Sequence, residues 1–471
     1  MQKILLLIAS LFYFNFILAE NEIKSWQGIH ETPLSRLEQQ FAEPPVEFAN
    51  HVIWGWEGKM DKKTICNDLD SIKKKGFRAV IFEAGYKLPF KYLSEEWFKA
   101  IRTGVLEAKK RGMKVWIIDE GKYPSGFAGG KFSQERPDLR MQALVIGDTI
   151  QIKRGEVMTN HKIAPEIISA VAVSTSGAPN RTVAINNGEI SFNAGLDDWK
   201  VLLVKSDFRT AVTRAVNNPN GGKDATNSLC DYLNPVAVQQ FIDWTHEQYK
   251  KYLGKELGTT VLGFRGDEPD YAHLPWTPSI VQTFKDTKGY DPTPYLASFF
   301  TTSPTIQEQR VKADYWDVWS SLFATHFFKL QADWCAANGV AHITHLNKEH
   351  EMPACVKAEG DYFRNLSKVQ IPGVDAIWNQ IWPGTLNDFP KLASSVAHVY
   401  GKPRAFSESF AAYHISPTIP QAKFVVDHQI ARGINFFEFM FWLAGSKHRN
   451  WMSDPGMKGL NEYTNRTTYL M

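Results

Sequence analysis

Six times along this chain a helix-forming stretch ends in glycine, and a short apolar strand follows at once. Asp61–Lys75 stops at Gly76 before FRAVIFEAG, and Ser94–Arg111 stops at Gly112 before MKVWIIDEG. Asn234–Leu257 stops at Gly258, before the apolar run Val261-Leu262-Gly263-Phe264 and then Asp267-Glu268-Pro269. Val311–Asn338 ends at Gly339 before VAHITHLNKEH, Phe389–Tyr400 at Gly401 before KPRAFSESF, and Ile419–Arg432 at Gly433 before INFFEFMFW. Glycine just past a helix takes the left-handed conformation that closes the last turn. The starts are marked as well. Ser94 caps a first turn carrying Glu95 and Glu96, and Asn234 precedes Pro235 at the first helical position. Two further strands, HVIWGWEG (51–58) and VDAIWNQI (374–381), bring the count to eight. Strands that alternate with helices must run parallel, and eight such units predict a closed (β/α)8 TIM barrel. An open doubly wound sheet would carry a glycine-rich phosphate fingerprint after its first strand, and none is present.

One interval breaks the rhythm. Residues 140–233 are too many for a loop. ALVIGDTIQI, ISAVAVSTS, RTVAINNGEISF and WKVLLVKSDF read as short strands separated by turn residues. The expected organisation is therefore a signal peptide over 1–19, an N-terminal arm over 20–45 and a first barrel part over 46–139. A β-rich subdomain inserted after strand three follows over 140–222, then a second barrel part over 223–471.

Lys3 precedes the apolar run Ile4 to Leu18, and Ile17-Leu18-Ala19 has the small-residue ending of a cleavage site. This predicts export, to the periplasm or beyond, and no later run is long enough for a membrane span. The net charge of +3, from 53 basic and 50 acidic residues, gives no footing for nucleic acid. Cys66, Cys230, Cys335 and Cys355 have no CxxC spacing, so zinc binding is not expected, and Cys66 and Cys335 read as core residues. The 15 Trp and 16 Tyr include flat amphipathic rings of the kind that suit sugar faces.

Chemistry in a parallel barrel sits at the C-terminal ends of the strands. Those ends carry Glu83 and Tyr86 (strand two), Asp119 and Glu120 (three), and Asp267 and Glu268 (four). Strand five gives His342, His345, Asn347 and Glu349; strand six gives Trp378, Asn379 and Gln380, with Asp375 nearer its start. Strand seven gives Ser407, Glu408 and Tyr413, and strand eight gives Glu438 and Trp442. So many carboxylates in one mouth raise one another's pKa and call for a purpose or a cation. Glycoside hydrolysis supplies one, since it needs a carboxyl proton donor and a second carboxylate across the scissile bond. Strands four and seven lie nearly opposite one another. Glu268 is accordingly the expected acid and Glu408 the expected base or nucleophile, with Ser407 and Ser409 as its hydrogen-bond donors. Glu349 and Glu120 stand next in line. Asp119, Glu120, Asp267, His345, Glu349, Tyr413 and three tryptophans, Trp54, Trp378 and Trp442, are expected to bind substrate. Two other readings remain open: a barrel that binds glycans without cleaving them, and a metal-dependent hydrolase. For the latter, His342 and His345 are three apart on one strand and point to opposite faces, so they do not share one ion. No metal ligand is assigned from the residues.

WIIDEGKYPSGFAGG resembles the strand-three signature of the α-L-rhamnosidase-like glycoside hydrolases, family 106 and its uncharacterised neighbours. GDEPDY, FSESF and IARGINFF resemble the same barrel, and the likeness covers roughly residues 45–470. HLNKEHEMPACVKAEGDYF resembles the neighbours more than the rhamnosidases. The resemblance implies an exported carbohydrate-active barrel, rhamnose cleavage with inversion and a bound calcium ion. The placement of the two carboxyls on strands four and seven resembles instead the large clan of retaining barrel glycosidases.

Overall fold

The computed structural model describes residues 26–29, 32–121, 123–210, 213–214, 223–224, 228–271, 274–385, 387–445 and 450–471. The signal-peptide stretch and the Asn217–Gly222 linker lie outside the described residues.

Eight parallel strands close a barrel. They are β1 (His51–Trp56), β2 (Ala79–Ala84), β3 (Lys114–Ile118), β4 (Val261–Gly266), β5 (Ala341–Thr344), β6 (Ile371–Ala376), β7 (Phe406–Ser409) and β8 (Phe436–Leu443). Each pairs with its sequence neighbours, and β8 returns to pair with β1, so the sheet has no edge. The helices start where their caps place them. The Asp61 side chain accepts from the Thr64 amide at 2.9 Å, and the Ser94 hydroxyl accepts from the Trp97 amide at 3.3 Å. One strand departs from the sequence reading. β6 begins at Ile371 and stops at Ala376, so it starts before the expected 374–381, takes in Pro372-Gly373, and leaves Trp378 in the following loop. Gly373 is required there, because a Cβ would come within 2.1 Å of the Phe406 ring. Gly263 on β4 makes the same kind of room for Trp116, whose ring would meet a Cβ at 2.3 Å.

Both faces of every strand are buried. Ile53, Ile81, Trp116, Ile118, Leu262, Ile343, Ile371, Phe406 and Phe436 fill the inside of the barrel, and Trp26 packs edge-on against Trp116 from the N-terminal lead. Below the mouth the barrel is therefore a packed core, not a channel. The alternate residues point outward to the helices. Trp54 lies in this outer layer, fully buried among Trp56 and Phe82, with its Nε1–H donated to Asp68 at 3.1 Å. Trp442 is 1% exposed in the same layer. Neither ring can meet a sugar, which corrects the expectation that both face the mouth.

Between β3 and β4 the chain forms sheets that are not hydrogen-bonded into the barrel wall. Gln142–Ile152, Trp199–Phe208 and Ile167–Ser174 make an antiparallel sheet with Arg181–Thr182 at one edge. The other edge strand, Pro275–Trp276, comes from beyond β4. Val157–Lys162, Glu189–Asn193 and Ile185–Asn186 form a separate small sheet. No helix among the described residues is long and apolar enough to cross a membrane.

Candidate active site

The C-terminal ends of β4 to β7 meet over a buried arginine. Alternation points Arg265 (β4), Asp375 (β6), Glu408 (β7) and Glu438 (β8) into the barrel above its apolar filling, and parallel pairing sets Asp375, Glu408 and Glu438 level with one another. Arg265 is fully buried. Its Nη1 lies 2.7 Å from Asp267, its Nε donates to Glu438 at 3.2 Å, and its Nη2 donates to Glu408. The same Nη2 is 2.8 Å from His345 Nε2.

His345 stands between two carboxylate groups. Its nitrogens and oxygens of Asp267 and Glu408 lie within 4.8 Å of one another, as do those of His345, Glu268 and Asp375. Its Nε2 is 3.3 Å from Glu408 and its Nδ1 is 3.7 Å from Glu349. Glu349 is in turn fixed by the Leu346 amide at 2.9 Å, so it orients the imidazole from behind. Burial and Arg265 oppose a charge on His345. Glu408, Asp375 and Glu349 outweigh them and hold it well above the usual histidine range.

The environment drives the two expected catalytic carboxyls apart. Burial, reinforced by Asp267, Glu349 and Glu408 against the opposing pull of His345, pushes Glu268 up to about 8. Burial acts on Glu408 in the same sense, but Arg265 and His345 override it and bring that carboxyl down to about 2. At neutral pH Glu268 holds a proton and Glu408 does not. This division of a carboxyl pair into acid and anion is what glycoside hydrolysis needs. Ser407 and Ser409 take no part in it. Their hydroxyls bond each other at 3.1 Å on the outer face of β7, because neighbours of an inward residue point outward.

Asp119 and Glu120 also fall outside the site. Asp119 accepts from the Ser125 hydroxyl at 2.7 Å, and the same hydroxyl accepts from the Asp267 amide at 2.7 Å. Glu120 accepts from the amides of Gly121 at 2.5 Å, Gly129 at 3.0 Å and Ala128. Both are buried and hold the PSGFAGG loop against β4, which corrects their expected contact with substrate. Trp378 is 54% exposed, and its amide donates to the Ala411 carbonyl at 3.1 Å, which ties the loop after β6 to the loop after β7. Tyr413 is nearly buried against Phe410 and Trp382, and its hydroxyl has no partner. Non-glycine residues with positive φ gather on these loops: Glu268 (36°), Trp378 (51°), Asn379 (59°), Phe410 (74°) and Ala412 (48°). Backbone held this way concentrates at functional sites.

Three groups were given no catalytic or binding role from the sequence: Arg265, Asp375 and Glu438. Period-two counting from Ile371, through Gly373 to Asp375, and from Phe436 to Glu438 carries the signal for two of them. Asp375 is buried, its Oδ1 has no partner, and burial with Glu408 raises it well above the carboxylate range. Glu359 Oε2 is a second buried carboxylate oxygen without a partner. Hard oxygen donors of this kind fit a calcium ion.

The chain is similar to known proteins. A protein of Formosa agariphila named "Putative beta-glucuronidase" is 24% identical over 480 aligned positions, covering 90% of this chain and 39% of its own length. The structure of a rhamnosidase from Novosphingobium sp. PP1Y superposes with a TM-score of 0.68 at 15% identity, over 93% of this chain and 60% of that one. The chain thus spans less than two thirds of both relatives. The sequence model of the alpha-L-rhamnosidase family, glycoside hydrolase family 106, matches residues 159–467, and the chain belongs to that family.

Proposed function

We propose that this chain is the catalytic barrel of an exported glycoside hydrolase that cleaves α-L-rhamnosyl bonds. The observation that carries the reading is the opposed state of Glu268 and Glu408 around His345 at the barrel mouth. Family membership supports rhamnose as the sugar, and the apolar run Ile4 to Leu18 supports export.

In this reading Glu268 gives its proton to the leaving oxygen as the glycosidic bond breaks. Glu408 takes a proton from the water that attacks the anomeric carbon from the opposite face, so configuration inverts. Arg265 and His345 keep Glu408 ionised until that moment. Trp378 offers a ring to the sugar, and the Tyr413 hydroxyl is free to bond a sugar hydroxyl.

The test is hydrolysis of aryl α-L-rhamnosides, followed by NMR of the first-formed anomer. Glu268→Gln should lose activity toward poor leaving groups and recover much of it on a dinitrophenyl glycoside, which needs no proton. Glu408→Gln should lose both. Near-full activity in Glu408→Gln would place the base elsewhere, and retained configuration would overturn the inverting step.

A further inference from the structure

We propose that His246, Cys335 and His342 form a binding site for one thiophilic transition-metal ion, zinc or copper, in the wall between the barrel and its helices. The inference does not depend on the glycosidase reading. His246 opens the helix His246–Leu253, Cys335 lies on the helix Lys329–Ala337, and His342 is on the outward face of β5. The trio therefore sits behind the wall that carries Arg265 and His345, on the side away from the mouth. All three side chains are at most 1% exposed.

One ring nitrogen from each histidine and the Cys335 sulfur all lie within 4.8 Å of one another. Around an ion with bonds of about 2.0–2.3 Å, ligand atoms sit roughly 3.3–4 Å apart, so small side-chain movements close the site. Ordinary hydrogen bonding does not account for the arrangement. His246 Nε2 and His342 Nδ1 are buried and have no hydrogen-bond partner, the thiol included. The chemistry of His246 can be followed atom by atom. Thr245 Oγ1 donates its proton to the Phe241 carbonyl at 2.7 Å, and so accepts from His246 Nδ1–H at 2.9 Å. That leaves Nε2 with a bare lone pair and no donor among the described residues. A buried acceptor without a donor is costly, and two beside a thiol are the donor set of a metal site.

Two neutral nitrogens and one sulfur select a soft or borderline cation over calcium or magnesium. On binding, the Cys335 S–H proton leaves to solvent as the metal–sulfur bond forms. Gln331, one helical turn before Cys335, is fully buried, and its Oε1 also lacks a partner. It offers a further oxygen on the same helix.

The test uses the chain as expressed. Protein produced with added zinc or with added copper is desalted, and its metal content is measured by mass spectrometry. Separately, metal-free protein is titrated with cobalt(II). The expected result is about one zinc or copper per chain and a thiolate-to-cobalt charge-transfer band, with the retained metal identifying the native ion. Cys335→Ser should keep the helical circular dichroism, hold at least tenfold less metal and lose the band. Wild-type protein that retains less than a tenth of an equivalent of either metal and shows no band overturns the proposal. So does a Cys335→Ser chain that binds as much metal as wild type.

Discussion

Replacing Arg265 by methionine removes the guanidinium that faces Glu408, Glu438 and Asp267 while keeping most of the side-chain volume. Arg265 is fully buried beside the three carboxylates, where little solvent screens its charge. Only His345 then opposes burial, and Glu408 rises from about 2 toward its ordinary 4.5. At 1.36 kcal/mol per unit, a full return would forfeit about 3 kcal/mol of stability at neutral pH. Losing one partner of a buried ion pair costs about 3–5 kcal/mol, which agrees. The sign follows from linkage. A depressed carboxyl contributes stability above its unfolded pKa and loses it as pH falls toward the folded value. The deficit of Arg265→Met should therefore be full at pH 7 and shrink as pH drops below about 4. Denaturant midpoints at the two pH values measure this. In kcat/KM against pH on an aryl rhamnoside, the acidic limb should move up by about 1–2 units. Arg265→Lys keeps the charge without the fork and should restore part of the shift. An unchanged acidic limb together with a stability loss under about 1 kcal/mol would refute the claim that Arg265 holds Glu408 ionised.

Glu268, raised to about 8, should set the alkaline limb, so kcat/KM falls tenfold per unit above that pH; in Glu268→Gln, assayed on an activated glycoside, the limb should vanish. Trp378→Ala should weaken binding of oligosaccharides by about 1–3 kcal/mol, read as a rise in Kd with no change in melting temperature. Trp54→Ala should do the reverse, costing about 3–5 kcal/mol of stability in denaturant titration with Kd unchanged. Equal affinity in Trp378→Ala, or weaker sugar binding in a folded Trp54→Ala, would contradict the placement of those rings.

The sequence alone determined the barrel, because helix periodicity, glycine stops and apolar runs are local signals, and eight such units have one way to close. It also located the carboxylates, since the polar residue that ends a buried strand must emerge at the mouth. It did not determine which way the side chains within a strand face. A barrel strand is apolar on both faces, so HVIWGW shows no polar alternation to separate Ile53, inside, from Trp54, outside. The tertiary structure decided three further things. Long-range closure of the PSGFAGG loop turned Glu120 into an amide acceptor. An earlier start to β6 brought Asp375 level with Glu408. Strand pairing across the barrel placed Arg265 and His345 against Glu408 and so gave two glutamates of the same intrinsic chemistry opposite protonation states. Contacts between residues more than sixty positions apart set those states, and no local pattern encodes them.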